Sequence, residues 1–352
     1  MRSVYLFGLE DARIIEVDRP VPREGEVLMK IKAATTCGTD FKTFVRGYHG
    51  WDGKTPIPWG HECAGDVAEL GEGVKGWKVG DRIVSHNTAA CGRCWMCLRG
   101  FPQLCENWVS YNSNPTNHGA YSEYMAITAR QLELVARKIP DDVEYWQAAQ
   151  VEPMSCAIHG VEGVGVQAGE SLAIVGAGPQ GLYQVQYAKK LKGATTVISI
   201  DQIDYRLNMA KKFGADYTIN ATGMNRDAIA EKVQEYTDGR GADRVIEAVG
   251  TPETWETAVK LARKGGVIDE YAGCKPGTTV TFETGDIHYK NLTIKGVFHT
   301  TPYLVQKTYD YIFSGVIDTK SMVTQKFKLD EIQKAYDILK TTKEALKIAI
   351  IP

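Results

Sequence analysis

The stretch "ESLAIVGAGPQGLYQVQYAKKL" narrows the folds open to this chain more than any other. Leu172 to Val175 is a short apolar run that reads as a strand. Gly176, Gly178 and Gly181 follow it in the spacing G-x-G-x-x-G, and a helical pattern begins there. Without Cβ atoms these glycines let backbone approach a pyrophosphate, whose charge would rest on the helix N-terminus beside Pro179 and Gln180. A lone motif of this kind is weak evidence. Here Asp201 stands twenty residues beyond Gly181 and ends the next apolar run, "TTVISID". Its carboxylate can bind a ribose 2′-hydroxyl and would repel a 2′-phosphate, which favours NAD over NADP. Arg206, five residues on, reads as a solvent-facing helical residue that could still reach a phosphate.

The same rhythm continues. "DYRLNMAKKFGA" reads as helix and "DYTIN" as strand; "RDAIAEKVQEYTDGRGA" is helix and turn, "DRVIEAVG" strand, "PETWETAVKLARKGG" helix and "GVIDEYAG" strand. Alternation of this kind predicts an α/β doubly wound parallel sheet. Ligands bind beyond the carboxyl ends of such strands. Val249, Gly250, Ala272 and Gly273 are therefore candidate walls around a nicotinamide ribose, although both glycines equally suit strand ends.

The first 150 residues lack that rhythm. "EVLMKIKAATTCG" and "CAGDVAELGEG" look like strands, and "VKGWKVGDRIV" like a turn into another. A chain of 352 residues suggests about two domains and needs no covalent staples for its core. A net charge of −2 offers no basic footprint for nucleic acid or an anionic membrane. The opening residues hold no apolar run of signal-peptide or membrane-spanning length, so a cytoplasmic address is expected. Thiols stay reduced there, and clustered cysteines read as metal ligands or reactive groups.

Four of the eight cysteines crowd into one loop, at Cys91, Cys94, Cys97 and Cys105. Two-residue gaps let successive thiolates converge, and a fourth can close a tetrahedron. Structural zinc takes such a shell; an iron–sulfur cluster also uses four cysteines at short spacings. Four thiolates leave no open position, so the loop should be held rather than reactive. A second set lies elsewhere: Cys37 in "TTCGTDFKTF", His61, Glu62 and Cys63 in "PWGHECAG", and Glu152 in "QVEPMSCAIH". Together these offer thiolate, imidazole and carboxylate, the mixture expected of a catalytic zinc.

With "CGTD", "GHE", "VEP", the four-cysteine loop and the glycine motif in hand, the whole chain resembles the zinc-dependent medium-chain dehydrogenases. Glu at position 152, where ordinary alcohol dehydrogenases carry cysteine, is similar to the sorbitol (polyol) and threonine dehydrogenase branch. The resemblance implies a GroES-like distorted β-barrel catalytic domain over residues 1–150, with a structural zinc lobe at 86–106. A Rossmann domain at 151–296 and a return to the catalytic domain over 297–352 would follow. In that return "FKLDEIQKAYDILKT" is a closing helix and "ALKIAIIP" a last strand, with the active site in a cleft between domains. It further implies two zinc ions per chain. Cys37 and His61 are catalytic ligands, Glu62 and Glu152 complete or exchange in that shell, and the four clustered cysteines hold the second ion. Cys63 and Cys156 read as packing residues, with Cys156 a minor rival ligand.

Such a zinc lowers the pKa of a substrate hydroxyl so that hydride can leave to nicotinamide. By the resemblance Thr39 starts the proton relay; its other reading is a turn residue bonding local backbone. Many relatives carry histidine where this chain has Lys42. A lysine there could relay, sit near cofactor phosphates, or simply be a solvated charge. Tyr48, Trp51, Trp59, Tyr111 and Phe298 are candidate pocket walls, and the polar Thr39, Asn112, Asn117 and His118 suggest a polyhydroxylated substrate. Threonine-type 3-hydroxy amino acids are the alternative. A zinc-stabilised nucleotide-binding module without turnover would need no open zinc. Relatives imply a homodimer or homotetramer with a small alcohol or polyol as substrate, and neither nucleic acid nor membrane as partner.

Overall fold

Residues 1–47 and 51–352 are described by the computed structural model, so the candidate wall Tyr48 lies outside the described residues. The chain divides into two units, one of residues 1–155 with 300–352 and one of residues 156–299.

In the second unit the run Ser171–Val175 is buried along its whole length and forms the centre of a six-stranded sheet. Strand Thr196–Asp201 and then Tyr217–Asn220 lie on one side; Ala242–Glu247, Ala262–Glu270 and Thr293–Lys295 lie on the other, and every pairing is parallel. The strand order reverses at Ser171–Val175, so the crevice beyond its carboxyl end is the switch point where ligands bind in such sheets. Parallel strands covered on both faces must be apolar, and Val175, Ile198, Ile200, Val245 and Ile268 belong to one core with helices Arg226–Glu235 and Pro252–Leu261. The second helix starts where Thr251 caps it, its side chain accepting from the backbone N–H of Thr254, with Pro252 in the first turn. Three carboxylates break the apolar pattern. Glu247 and Glu270 are register partners at the ends of their strands, Asp269 precedes Glu270, and all three are buried.

The first unit is built on a mostly antiparallel sheet. Among the described residues its order runs Ala136–Lys138, Arg82–Ser85, Glu62–Leu70, Val27–Thr35, Lys347–Ile351 and Val323–Lys328, with Tyr124–Ile127 also on Val27–Thr35. The pairing of Val27–Thr35 with Glu62–Leu70 carries two register irregularities, near Met29 and Ala33, of the kind that bends a strand. Its core gathers Val27, Met29, Ile31, Phe44, Trp59, Tyr121, Tyr336, Ile348 and Ile350. The two short strands Thr88–Ala89 and Val109–Ser110 pair antiparallel and close the base of the cysteine loop.

One element departs from the sequence reading. Phe327 and Lys328 end strand Val323–Lys328 instead of starting a helix; a 3-10 turn covers Leu329–Glu331, and the helix is Ile332–Thr341. Phe327 pairs with Ile350, so sheet completion outweighs helical periodicity there. Among the described residues no helix is long and apolar enough to cross a membrane.

Candidate metal and nucleotide sites

Cys37 caps the helix Gly38–Arg46, its sulfur accepting from the backbone N–H of Thr39 at 3.4 Å. A helix N-terminus favours a thiolate. Strand Glu62–Leu70 begins next to His61, and Glu62 is the register partner of Thr35 two residues before Cys37. The pairing brings ligand atoms of Cys37, His61 and Glu62 within 4.8 Å of one another. Glu152, from the start of helix Val151–Val164, places a carboxylate oxygen 3.9 Å from Nε2 of His61. A thiol, an imidazole and carboxylates facing one point suit zinc.

Asp40 is the residue that sequence reasoning missed. Its Oδ1 lies 3.1 Å from Nδ1 of His61, which leaves Nε2 turned toward Glu152, and its Oδ2 lies 3.2 Å from the Tyr121 hydroxyl. An acid three residues past Cys37 was the available signal, since metal-bound histidines regularly have a carboxylate on the other ring nitrogen. Glu62 is held differently. Lys347 Nζ lies 3.0 Å from Oε1 and 2.7 Å from Oε2, and the Thr35 hydroxyl donates to Oε2. Burial pushes the Glu62 carboxyl up while Lys347 opposes that shift. Burial pushes Glu152 up to about 7, with His61 opposing.

The loop cysteines bring four sulfur atoms within 4.8 Å of one another. The backbone N–H of Cys91 and of Asn107 donate to Cys105 Sγ, at 3.2 and 3.3 Å, and that of Cys94 to Cys91 Sγ at 3.3 Å. Backbone donors, Cys97 and Glu106 first, bring the Cys94 thiol down to about 6. Amides aimed at sulfur favour thiolates, so this shell fits a soft cation with no open position.

In the second unit Gly176 has φ +104°, and a Cβ there would meet Val249 Cγ2 at 2.8 Å. At Gly181 a Cβ would lie 1.9 Å from the Gly176 carbonyl oxygen, so only glycine lets helix Pro179–Lys190 pack on the strand. Gly178 differs, for a Cβ there meets nothing within 4 Å, and it caps the helix without a side chain. That space before uncapped N–H groups fits a pyrophosphate. Gln180 accepts from the Tyr271 hydroxyl at 2.9 Å. Asp201 Oδ2 accepts from the N–H of Ala177 at 2.7 Å, and its Oδ1 from those of Gln202 and Ile203. Arg206 is turned toward that carboxylate, 4.0 Å away, rather than simply facing solvent. Gly250 has a packing reason for being glycine, because a Cβ would come 2.7 Å from the Gly273 carbonyl. Val249, Gly273 and Phe298 are exposed, and Ala272 is half-buried.

Other candidate site residues fall elsewhere. Thr39 is exposed and Lys42 half-buried on helix Gly38–Arg46. Trp59 stacks on Phe44 and is buried in the core, and the Tyr111 hydroxyl donates to the Ser85 carbonyl at 2.8 Å. Asn117 holds Tyr111 and Ala126 backbone, and His118 Nδ1 sits 2.7 Å from the Tyr5 hydroxyl, so these polar groups serve the fold. Asn112 is exposed and Trp51 packs half-buried on the core. Burial pushes the Cys63 thiol up to about 12, in keeping with packing. Cys156 Sγ lies 3.9 Å from Nδ1 of His299, a residue sequence reasoning gave no role.

Comparison with known proteins bears directly on this arrangement. Residues 23–141 match the alcohol dehydrogenase GroES-like domain, and residues 179–314 match the zinc-binding dehydrogenase family. The chain is 32% identical to sorbitol dehydrogenase of Bacillus subtilis (strain 168), over 100% of this chain and 97% of that protein. It is also 32% identical to L-threonine 3-dehydrogenase of Bacillus velezensis, over 97% and 95%. A Sinorhizobium meliloti 1021 protein solved with NADP superposes with a TM-score of 0.87 at 30% identity, covering 100% of this chain and 99% of that one. Glycine cradle, mixed-donor cluster and full-length similarity agree, and the chain belongs to the zinc-binding dehydrogenase family, in the branch of the sorbitol and threonine dehydrogenases.

Proposed function

We propose that this protein is a zinc-dependent dehydrogenase that moves hydride between a secondary alcohol of a polyol or sugar-like substrate and NAD. The observation that carries the reading is the meeting of thiol, imidazole and carboxylate at Cys37, His61 and Glu62, with Glu152 alongside, in a relative of sorbitol dehydrogenase. Zinc held there would polarise a substrate hydroxyl and lower its pKa, while the nicotinamide would accept hydride. Cys37 and His61 hold the ion in this reading, and Asp40 fixes the ring of His61. Thr39 Oγ1, in the turn after Cys37, receives the hydroxyl proton; Lys42 passes it outward or balances cofactor phosphate. Gly176, Gly178, Pro179, Gln180 and Gly181 cradle the pyrophosphate. Asp201 binds the adenosine ribose in preference to a 2′-phosphate, with Arg206 as its neighbour. Val249, Gly250, Ala272, Gly273 and Phe298 wall the nicotinamide ribose. Cys91, Cys94, Cys97 and Cys105 hold a second, structural zinc.

The eight cysteines are free thiols, which suits a reducing compartment, and we place the enzyme in the cytoplasm as a homodimer or homotetramer. Oxidation of a 3-hydroxy amino acid is the second reading, favoured by the equal identity to an L-threonine 3-dehydrogenase. The deciding experiment mixes enzyme and NAD with polyols, simple alcohols and L-threonine and follows NADH absorbance. Polyols oxidised fastest support the first reading, threonine outrunning every polyol hands the function to the second, and no reduction of NAD or NADP overturns both.

A further inference from the structure

Gln180 and Tyr271 are 91 residues apart in sequence and meet in the second unit, where the Tyr271 hydroxyl donates to Gln180 Oε1 at 2.9 Å. Gln180 stands in the first turn of helix Pro179–Lys190, two residues past Gly178, where a Cβ would meet nothing within 4 Å. Tyr271 follows the last residue of strand Ala262–Glu270 and precedes Ala272 and Gly273. A glycine makes the seat of its ring. At Gly160, on helix Val151–Val164, a Cβ would come 2.9 Å from Cδ2 and 3.3 Å from Cε2 of the tyrosine. The backbone beyond the ring is held separately. Ala272 N donates to the Glu247 carbonyl at 3.0 Å, and the Ala272 carbonyl accepts from Trp255 Nε1 at 2.9 Å. The strand end therefore keeps its course without the phenol hydroxyl.

An amide side chain offers one acceptor oxygen and a nitrogen with two donors. The phenol takes the oxygen, and among the described residues nothing accepts from Gln180 Nε2. Both side chains belong to half-buried residues, so the amide is neither sealed in the core nor free to turn in water. A half-buried donor without an acceptor is a cost that a ligand can remove. The hydroxyl also draws the amide away from the glycine turn, read above as the pyrophosphate cradle. It draws it toward the strand end read as the wall of the nicotinamide ribose.

We propose that Tyr271 is a positioning residue for the cofactor: it holds the Gln180 amide by its oxygen, so that Nε2 donates a hydrogen bond to an acceptor oxygen of the nicotinamide riboside. This rests on the dinucleotide reading above. The backbone of Gln180 serves the cradle, and its side chain serves the other half of the cofactor. Tyr271 lies outside the glycine motif and acts through Gln180.

The test measures binding of NAD and of ADP to the full-length zinc enzyme by calorimetry. ADP carries the adenosine and two phosphates but no nicotinamide riboside. Tyr271→Phe removes one hydroxyl and should weaken NAD about 3- to 10-fold, the scale of one neutral hydrogen bond, while ADP binds as it does to wild type. Gln180→Leu should do the same. The double variant should lose no more than either single one, because both changes remove the same donor. ADP-ribose, which has the ribose and no ring, shares the loss if the acceptor is a ribose oxygen and escapes it if the acceptor is the carboxamide; either result fits the proposal. A tyrosine that only supports the fold would lower Tm and weaken NAD and ADP together. That result, an unchanged NAD affinity in Tyr271→Phe, or losses that multiply in the double variant would overturn the proposal. Should Tyr271→Phe not fold, Gln180→Leu decides: NAD must weaken relative to ADP, and an unchanged ratio overturns the proposal. Wild-type enzyme that binds neither NAD nor NADP fails the dinucleotide reading itself, and this inference with it.

Discussion

The carboxylate of Asp40 and the imidazole of His61 lie 3.1 Å apart, and the far side of that carboxylate meets the Tyr121 hydroxyl, itself 2.7 Å from the hydroxyl of Tyr336. All but His61 are buried, so the ring is oriented by a chain of hydrogen bonds that water cannot replace cheaply. Removing the first link should cost metal affinity. Asp40→Ala is expected to weaken zinc binding at Cys37 and His61 by about 10- to 100-fold, the usual loss for a metal ligand's outer partner. Competition against a calibrated chelator measures it, and any metal held by the four-cysteine loop should be unaffected. Equal affinity in variant and wild type would show that Asp40 merely packs.

Cofactor choice should follow Asp201. Asp201→Ala removes a charged hydrogen bond, worth about 1.5–3 kcal/mol, so kcat/KM with NAD should fall about 10- to 100-fold. Loss of the negative charge beside Arg206 should at the same time raise use of NADP. Wild-type enzyme that turns over NADP better than NAD would refute the assignment.

Thr39→Val keeps shape and removes one hydroxyl. Oxidation should slow by about 10²–10⁴-fold, with metal content and NAD binding intact, while Thr39→Ser keeps much of the rate. Lys42→Ala separates two roles. A relay shifts the pH profile of kcat, whereas phosphate balance raises KM for NAD and leaves the profile's shape alone. An undiminished rate in Thr39→Val takes the threonine out of the mechanism.

The buried acids of the second unit make stability depend on pH. Burial first, then Glu247 and Asp269, push the Glu270 carboxyl up to about 9. Folded protein therefore keeps a proton that the unfolded chain gives up near the ordinary value of about 4.3. More protons bound in the folded state means stability falls as pH rises from there to about 9. Glu270→Gln should flatten that dependence and raise Tm at alkaline pH. Melting curves of the two proteins at about pH 6 and about pH 9 check it, and parallel declines would locate the sensitivity elsewhere.

What could be read in the sequence is what local chain dictates. The glycine cradle and the four-cysteine loop each occupy a contiguous stretch, so spacing alone reports them, and the alternation around them reports the parallel sheet. Phe327 and Lys328 misled because helical periodicity is local while their partner strand, Lys347–Ile351, is not. Trp59, Tyr111, Asn117 and His118 have the residue types of a pocket, but side-chain type does not say which way a strand or loop presents it. Lys347 was hidden for a similar reason. A lysine in an apolar strand reads as an edge charge until its acid, brought in by another strand, is known.

The pairing of Lys347–Ile351 with Val27–Thr35 also shapes how the chain reaches this state. Those strands close a loop of more than 300 residues, whose ends meet at an entropic cost that grows with the logarithm of its length. Residues 156–299 form a continuous unit inside that loop and can collapse on their own contacts. Early folding of that insert shortens the stretch that must be searched. The meeting of Lys347 with Glu62 would then be a late step of refolding, appearing after the parallel sheet rather than with it.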